Sequence, residues 1–212
     1  MSSRTKRILV YLGFVLITLV GPLTVLLNTG FETTNQLELI NSLLRTFGLL
    51  AFSMLFIQVV LGSNMTWFSN IIGARAYKLH IILAFSVLFL IVLHPLFYSL
   101  SLVKSEIAGL LSAFIPSGPF GPDEFYIFLG RISFVALVMV FVAGYFRTKP
   151  VLRRNWKKVH NVSLIAFYTI SIHSWNIGSD TKSTPFIWFY YLAVFTVSFI
   201  VIRDFYIHFK KP

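Results

Sequence analysis

Long uninterrupted apolar runs, separated by short polar or Gly/Pro-rich stretches, dominate this chain. Six runs fall at residues 8–28, 43–62, 79–102, 126–146, 160–177 and 185–202. Each is close to the roughly 20 apolar residues that a helix needs to cross a hydrocarbon core. The apolar positions cluster instead of alternating, so strands are not indicated. The pattern predicts an all-α membrane protein, a bundle of six transmembrane helices. The first run follows a basic start, as a secretory leader does, but no A-x-A-like site comes after it. It reads as a retained span, with Pro22 near its far end predicting a kink. The longest connection, residues 103–125, has an apolar first half suited to an interfacial helix. Its second half is rich in Gly and Pro and ends any helix. It reads equally as a lid or a connector. No internal repeat is visible.

Composition sharpens this picture. Of 212 residues, 57% are apolar and 12% charged, against about 25% charged in a soluble domain. Six spans fill the chain, so residues 1–212 read as a single membrane domain. The net charge of +11 is distributed by side. Arg4, Lys6, Arg7, Arg75, Lys78, the cluster from Arg147 to Lys158, Arg203, Lys210 and Lys211 share one side of a six-span arrangement. Glu32, Glu38, Glu106, Asp123, Glu124 and Asp180 share the other. Lys and Arg collect in cytoplasmic loops, so both termini are expected in the cytoplasm. The charge therefore calls for a lipid bilayer and no nucleic acid. The chain has no cysteine, which excludes disulfides, iron–sulfur clusters and thioether-linked haem.

Four of the five histidines fall in two runs: His80 and His94 in the third, His160 and His173 in the fifth. Ionisable groups are costly inside a membrane and mark function by default. The alternative is two polar core residues bonded to neighbouring helices, which matched pairs do not suggest. His80 and His94 are 14 residues apart, about 21 Å and 3.9 turns, so both face one side. His160 and His173 are 13 apart, about 20 Å, but an ideal helix turns them about 140° apart. Either the fifth segment carries a bulge or kink, or its rings approach from different angles. The two segments run in the same direction. His80 therefore matches His160 in depth near the inner face, and His94 matches His173 near the outer face. Two imidazoles at each of two depths suit six-coordinate haem iron between the third and fifth helices. Zinc asks for three or four converging ligands, and a proton relay usually uses intramembrane carboxylates. His208 has no partner at matching spacing and reads as a juxtamembrane surface residue.

The spacing His-x13-His in the third segment with His-x12-His in the fifth resembles the ferric reductase-like transmembrane domain. That domain is shared by NADPH oxidases, metalloreductases and the haem-binding membrane subunit of a bacterial methionine-sulfoxide reductase system. Trp156-Lys-Lys-Val-His160, Leu44-Arg45-Thr-Phe-Gly48 and Leu129-Gly130-Arg131-Ile-Ser133 are similar to further pieces of it. The likeness covers roughly residues 40–205. It implies that His80, His94, His160 and His173 are axial ligands of two b-type haems. It also implies that electrons pass from a cytoplasmic flavin to an outer-side acceptor, in a cell membrane of bacterial or archaeal type. About ten residues follow the sixth span, and no G-x-G-x-x-G or P-loop pattern occurs. Electrons are therefore expected from a separate flavoprotein, free flavin or quinol. An outer-side reductase is a candidate acceptor, alongside ferric iron and oxygen. The position where some members place an aromatic residue between the haems holds Ala166, with Phe167 beside it.

Arg45 and Arg131 lie near the outer ends of their spans, where outer-side Arg needs a reason. They are expected to pair with the outer haem's propionates, since Arg binds carboxylates bidentately. Arg75, Lys78, Arg153, Arg154 and Lys157 crowd the inner haem's edge and suit docking of an acidic flavoprotein. Phe89 and Phe167 are candidates for residues between the haems. Pro95 is expected to distort the third helix beside His94. Trp67, Trp156, Trp175 and Trp188 fall near interfaces, as aromatic belts do. Two other functions stay open: a proton-coupled transporter using the histidines, and a non-catalytic haem-binding sensor or assembly subunit.

Overall fold

A computed structural model of the protein describes residues 2–29, 35–104, 114 and 121–210, and among these it holds helices and no strand. Their order is α1 (Ser3–Thr29), α2 (Gln36–Ser63), α3 (Met65–Ile72), α4 (Arg75–Lys104), α5 (Pro122–Tyr145), α6 (Pro150–Arg153), α7 (Trp156–His160), α8 (Val162–Ile177) and α9 (Phe186–Phe209). Most of the connection expected as a lid or connector lies outside the described residues. So does the side chain of His208.

The helix starts follow local chemistry. Asn35 caps α2, its side chain accepting from Leu37 N at 3.0 Å, which satisfies one of the unpaired first-turn donors. At the start of α5, Pro122 follows Gly121, and Asp123 and Glu124 fill the first turn, where fixed φ and negative charge both favour a helix.

Five helices, α1, α2, α4, α5 and α9, are long and apolar enough to cross a membrane. The segment read as the fifth span is divided at Asn161 into α7 and the 16-residue α8. That break bears on the histidine register. Leu164 N donates to Asn161 O at 3.1 Å, an i→i+3 bond of the tighter helix that winds three residues per turn. Extra winding there offsets part of the 140° lag expected between His160 and His173. An interrupted segment, one of the two alternatives left open by the sequence, is present. Pro95, by contrast, lies inside an α4 that continues to Lys104.

Apolar side chains face outward along whole helices. Leu12, Leu16, Leu19, Leu23 and Leu27 form a stripe on α1, and Phe195, Phe199 and Ile202 do so on α9. Surfaces of this extent suit a hydrocarbon solvent. The buried core centres on Phe52 and Phe56 of α2, Phe167 of α8, and Phe186, Phe189 and Tyr190 of α9. Phe52 lies 5.5 Å from Phe167 and stacks on Tyr190 at 5.7 Å.

Arg7 Nε donates to Ile71 O at 3.1 Å. Arg203 donates to Asn64 Oδ1 at 2.5 Å and Ser63 O at 3.3 Å. The start of α1 therefore meets the end of α3, and the end of α9 meets the α2–α3 turn. Toward the other end of α1, Gly21 lets it touch α2: a Cβ there would stand 2.8 Å from Leu49 Cβ and 3.0 Å from its backbone. Gly21→Val is expected to lower stability by about 1–3 kcal/mol through overpacking. A thermal melt in detergent checks this.

Candidate metal centre

α2 packs along α4, and α5 packs along α7 and α8, while the two halves touch each other far less. The histidines stand between the halves. His80 and His160 form one level, with ring centroids 6.2 Å apart and planes at 56°. His94 and His173 form the other, at 6.4 Å and 84°. A metal binding one imidazole nitrogen on each side at about 2 Å sets ring centres about 6 Å apart. Each level therefore has room for one metal ion between two rings. Among the described residues no three His, Cys, Asp or Glu side chains converge, so neither level offers the set a zinc site uses.

Each ring lies against a glycine of the helix behind it. A Cβ on Gly48 would stand 2.8 Å from the His94 ring, and one on Gly130 would stand 2.8 Å from His173. On Gly62 it would stand 3.2 Å from His80, and on Gly144 3.6 Å from His160. Gly48 and Gly62 are 14 residues apart, as are Gly130 and Gly144. In each half a helix with two glycines is followed by a segment with two histidines. The bundle thus repeats one plan, which corrects the expectation of no internal repeat. Identical residues are too few to reveal it; only the eight positions recur.

The missing side chains let the rings reach backbone. His94 Nδ1 donates to Leu44 O at 2.9 Å, and His173 Nδ1 donates to Tyr126 O at 2.8 Å. Both carbonyls lie one turn before the glycine concerned. A carbonyl only accepts, so Nδ1 carries the proton; in the neutral ring Nε2 then keeps the lone pair that metal ligation uses. At the other level His80 and His160 Nδ1 are buried with no hydrogen-bond partner. Val140, one turn before Gly144, presents its carbonyl toward His160 in the same relation without closing a bond of full geometry. Gln58 Nε2 donates to His80 O at 2.9 Å and ties α4 to α2 there.

A cavity of about 630 Å³ opens at the His94–His173 level, within the roughly 300–1,000 Å³ of cofactor pockets. Gly48, Phe52, Gly130 and Leu137 line it, and Arg45, Arg131, Glu38 and Asp180 supply its charges. Paired neutral imidazoles, glycine clearances, an apolar wall and two arginines fit a haem with its anionic edge toward the arginines. Arg45 also forms an ion pair with Asp180, at 3.3 Å, a partner the sequence reading did not supply.

Near the His80–His160 level, the Arg147 guanidinium lies 5.8 Å over Tyr77. The sequence reading used Arg147 for topology only. Arg75, Lys78, Arg153, Arg154 and Lys157 are exposed. Of the aromatic candidates for the space between levels, Phe167 is fully buried against Phe52. Phe89 is 63% exposed, so it does not fill the space between the two levels.

The sequence matches the family model described as ferric reductase like transmembrane component over residues 47–172. This is narrower than the expected 40–205. It takes in His80, His94, His160 and the four glycines and stops one residue before His173. Comparison with curated proteins and with solved structures gives no match.

Proposed function

The chain belongs to the ferric reductase-like transmembrane family, and from that premise we propose that it is a di-haem b membrane protein that carries electrons across the bilayer. In this reading Trp156–Ile177 provides a sixth crossing, residues 1–212 act as one membrane domain, and both termini are cytoplasmic. His80 and His160 hold the inner haem, and His94 and His173 hold the outer one. The observation that carries the reading is the pairing of four rings at two levels, at 6.2 and 6.4 Å. When bound, haem supplies a reversible one-electron centre whose potential is tuned by charge, hydrogen bonding and burial.

The chain's own residues do the rest. The Leu44 and Tyr126 carbonyls fix the tautomer and orientation of the outer ligands. Arg45 and Arg131 would pair with the outer haem's propionates, and Arg147 with the inner haem's. Phe52, Phe167 and their neighbours keep water out of the space between levels. The exposed basic residues beside the inner level receive an acidic flavoprotein, free anionic flavin or quinol, the first by electrostatic steering. The acceptor, ferric iron, oxygen or a reductase partner, meets the outer end.

Vesicles test this directly. Haem-loaded protein is placed in liposomes with ferricyanide trapped inside and reduced flavin mononucleotide outside. The trapped ferricyanide is expected to bleach, and His80→Ala is expected to stop the bleaching. Retention of colour by fully loaded wild-type protein would contradict the electron-transfer reading.

A further inference from the structure

A buried carboxylate beside the outer cavity has no role in the scheme above. Asp180 is 3% exposed and lines the cavity with Arg45. Its Oδ1 accepts from Asn28 Nδ2 at 2.8 Å, and its Oδ2 lies 3.3 Å from Arg45 Nη1. Oδ2 and Arg45 Nε have no hydrogen-bond partner. Burying a charge is costly unless it is paired. The pairing here is incomplete on both sides and leaves a donor of the guanidinium unused at the cavity.

The loop after α8 is folded so as to put Asp180 there. Gly178 N donates to Ser174 O at 2.9 Å, Thr181 N to Gly178 O at 3.3 Å and Ser183 N to Asp180 O at 3.1 Å. The hydroxyls of Ser174 and fully buried Thr181 meet at 2.7 Å. A Cβ on Gly178 would collide with both Thr181 and the Ser174 carbonyl. Asn28 belongs to α1, so a helix outside the family-matched residues also reaches this site.

We propose that Asp180 positions Arg45 at the outer haem and sets that haem's reduction potential. The inference rests on the di-haem reading. Arg45 and Asp180 oppose each other in a low-dielectric setting where single charges act strongly. Glu38 and Arg131 also line the cavity, one of each sign. Removing Asp180 leaves the Arg45 charge uncompensated, which favours the reduced, more negative haem. Removing Arg45 does the opposite.

The test is a spectroscopic redox titration of purified, haem-loaded protein. The outer component is identified as the one missing from His94→Ala. In Asp180→Asn, the outer haem's ratio of reduced to oxidised form is expected to rise about tenfold at a fixed potential, a shift of about 59 mV upward. The inner component is expected to stay in place. Arg45→Gln shifts the outer component downward and serves as the test should Asp180→Asn fail to fold. Asp180→Glu restores most of the wild-type value, which a loss of packing alone would not predict. Two haems present with the outer potential unmoved in both variants would overturn this inference alone. Wild-type protein without haem would overturn it together with the di-haem reading.

Discussion

Replacing His94 or His173 by alanine is expected to leave a protein with one haem where the wild type has two. The two levels are about 20 Å apart along the helices, and each has its own pair of rings, its own glycines and its own basic residues. In the di-haem reading, removing one imidazole takes away one of two iron ligands and also the imidazole donor to the Leu44 or Tyr126 carbonyl. The other level loses no ligand and no contact. The change is therefore all-or-none at one level, not a graded loss at both. His80→Ala and His160→Ala should empty the inner level and spare the outer. Haem per chain by extraction reads the result. Equal loss of both haems from a folded His94→Ala protein would show that the levels are not independent.

The second large effect comes from residues that bind nothing. Gly48→Val and Gly130→Val are expected to weaken haem binding at the His94–His173 level although both histidines remain. A Cβ at either position would stand 2.8 Å from an imidazole, closer than atoms tolerate. The ring must leave its carbonyl, and with it the 6.4 Å spacing to its partner ring. Overpacking costs about 1–3 kcal/mol, which is roughly a five- to 150-fold loss of haem affinity. The clearances grade the prediction. Gly62→Ala, at 3.2 Å, should be milder, and Gly144→Ala, at 3.6 Å, should be tolerated. Haem titration of the four variants gives the order, and equal affinity in all of them would contradict the clearance argument.

Much of this was legible in the chain. The apolar runs located the helices, because lipid demands long apolar segments with internally satisfied backbone. The spacing of His80, His94, His160 and His173 foretold the pairing by depth, because helical rise converts residue number into height. The register of His160 against His173 was legible only as a conflict. Its resolution at Asn161 depends on a local change of winding that no single residue announces. Gly48 and Gly130 stand in family-like pieces of the sequence, but nothing there ties any of the four glycines to an imidazole, since a glycine in an apolar run ordinarily marks close helix packing. Their meaning appears when Gly48 and Gly62 are set beside His94 and His80 on the neighbouring helix. Phe89 and Phe167 are equivalent by depth, and only burial in the folded chain separates them. Asp180 was counted as a loop charge. Its burial depends on the folded turn from Gly178 to Pro185 and on Asn28, 152 residues away.

The central claim is that two rings at each of two levels grip one haem iron each. Visible spectra of the purified protein, oxidised and reduced, together with a haem assay per chain, test it most directly. The account predicts two b-type haems per chain, both low-spin, as two imidazole ligands on each iron require. Haem-free protein, or a high-spin spectrum from iron with a single histidine, would contradict it.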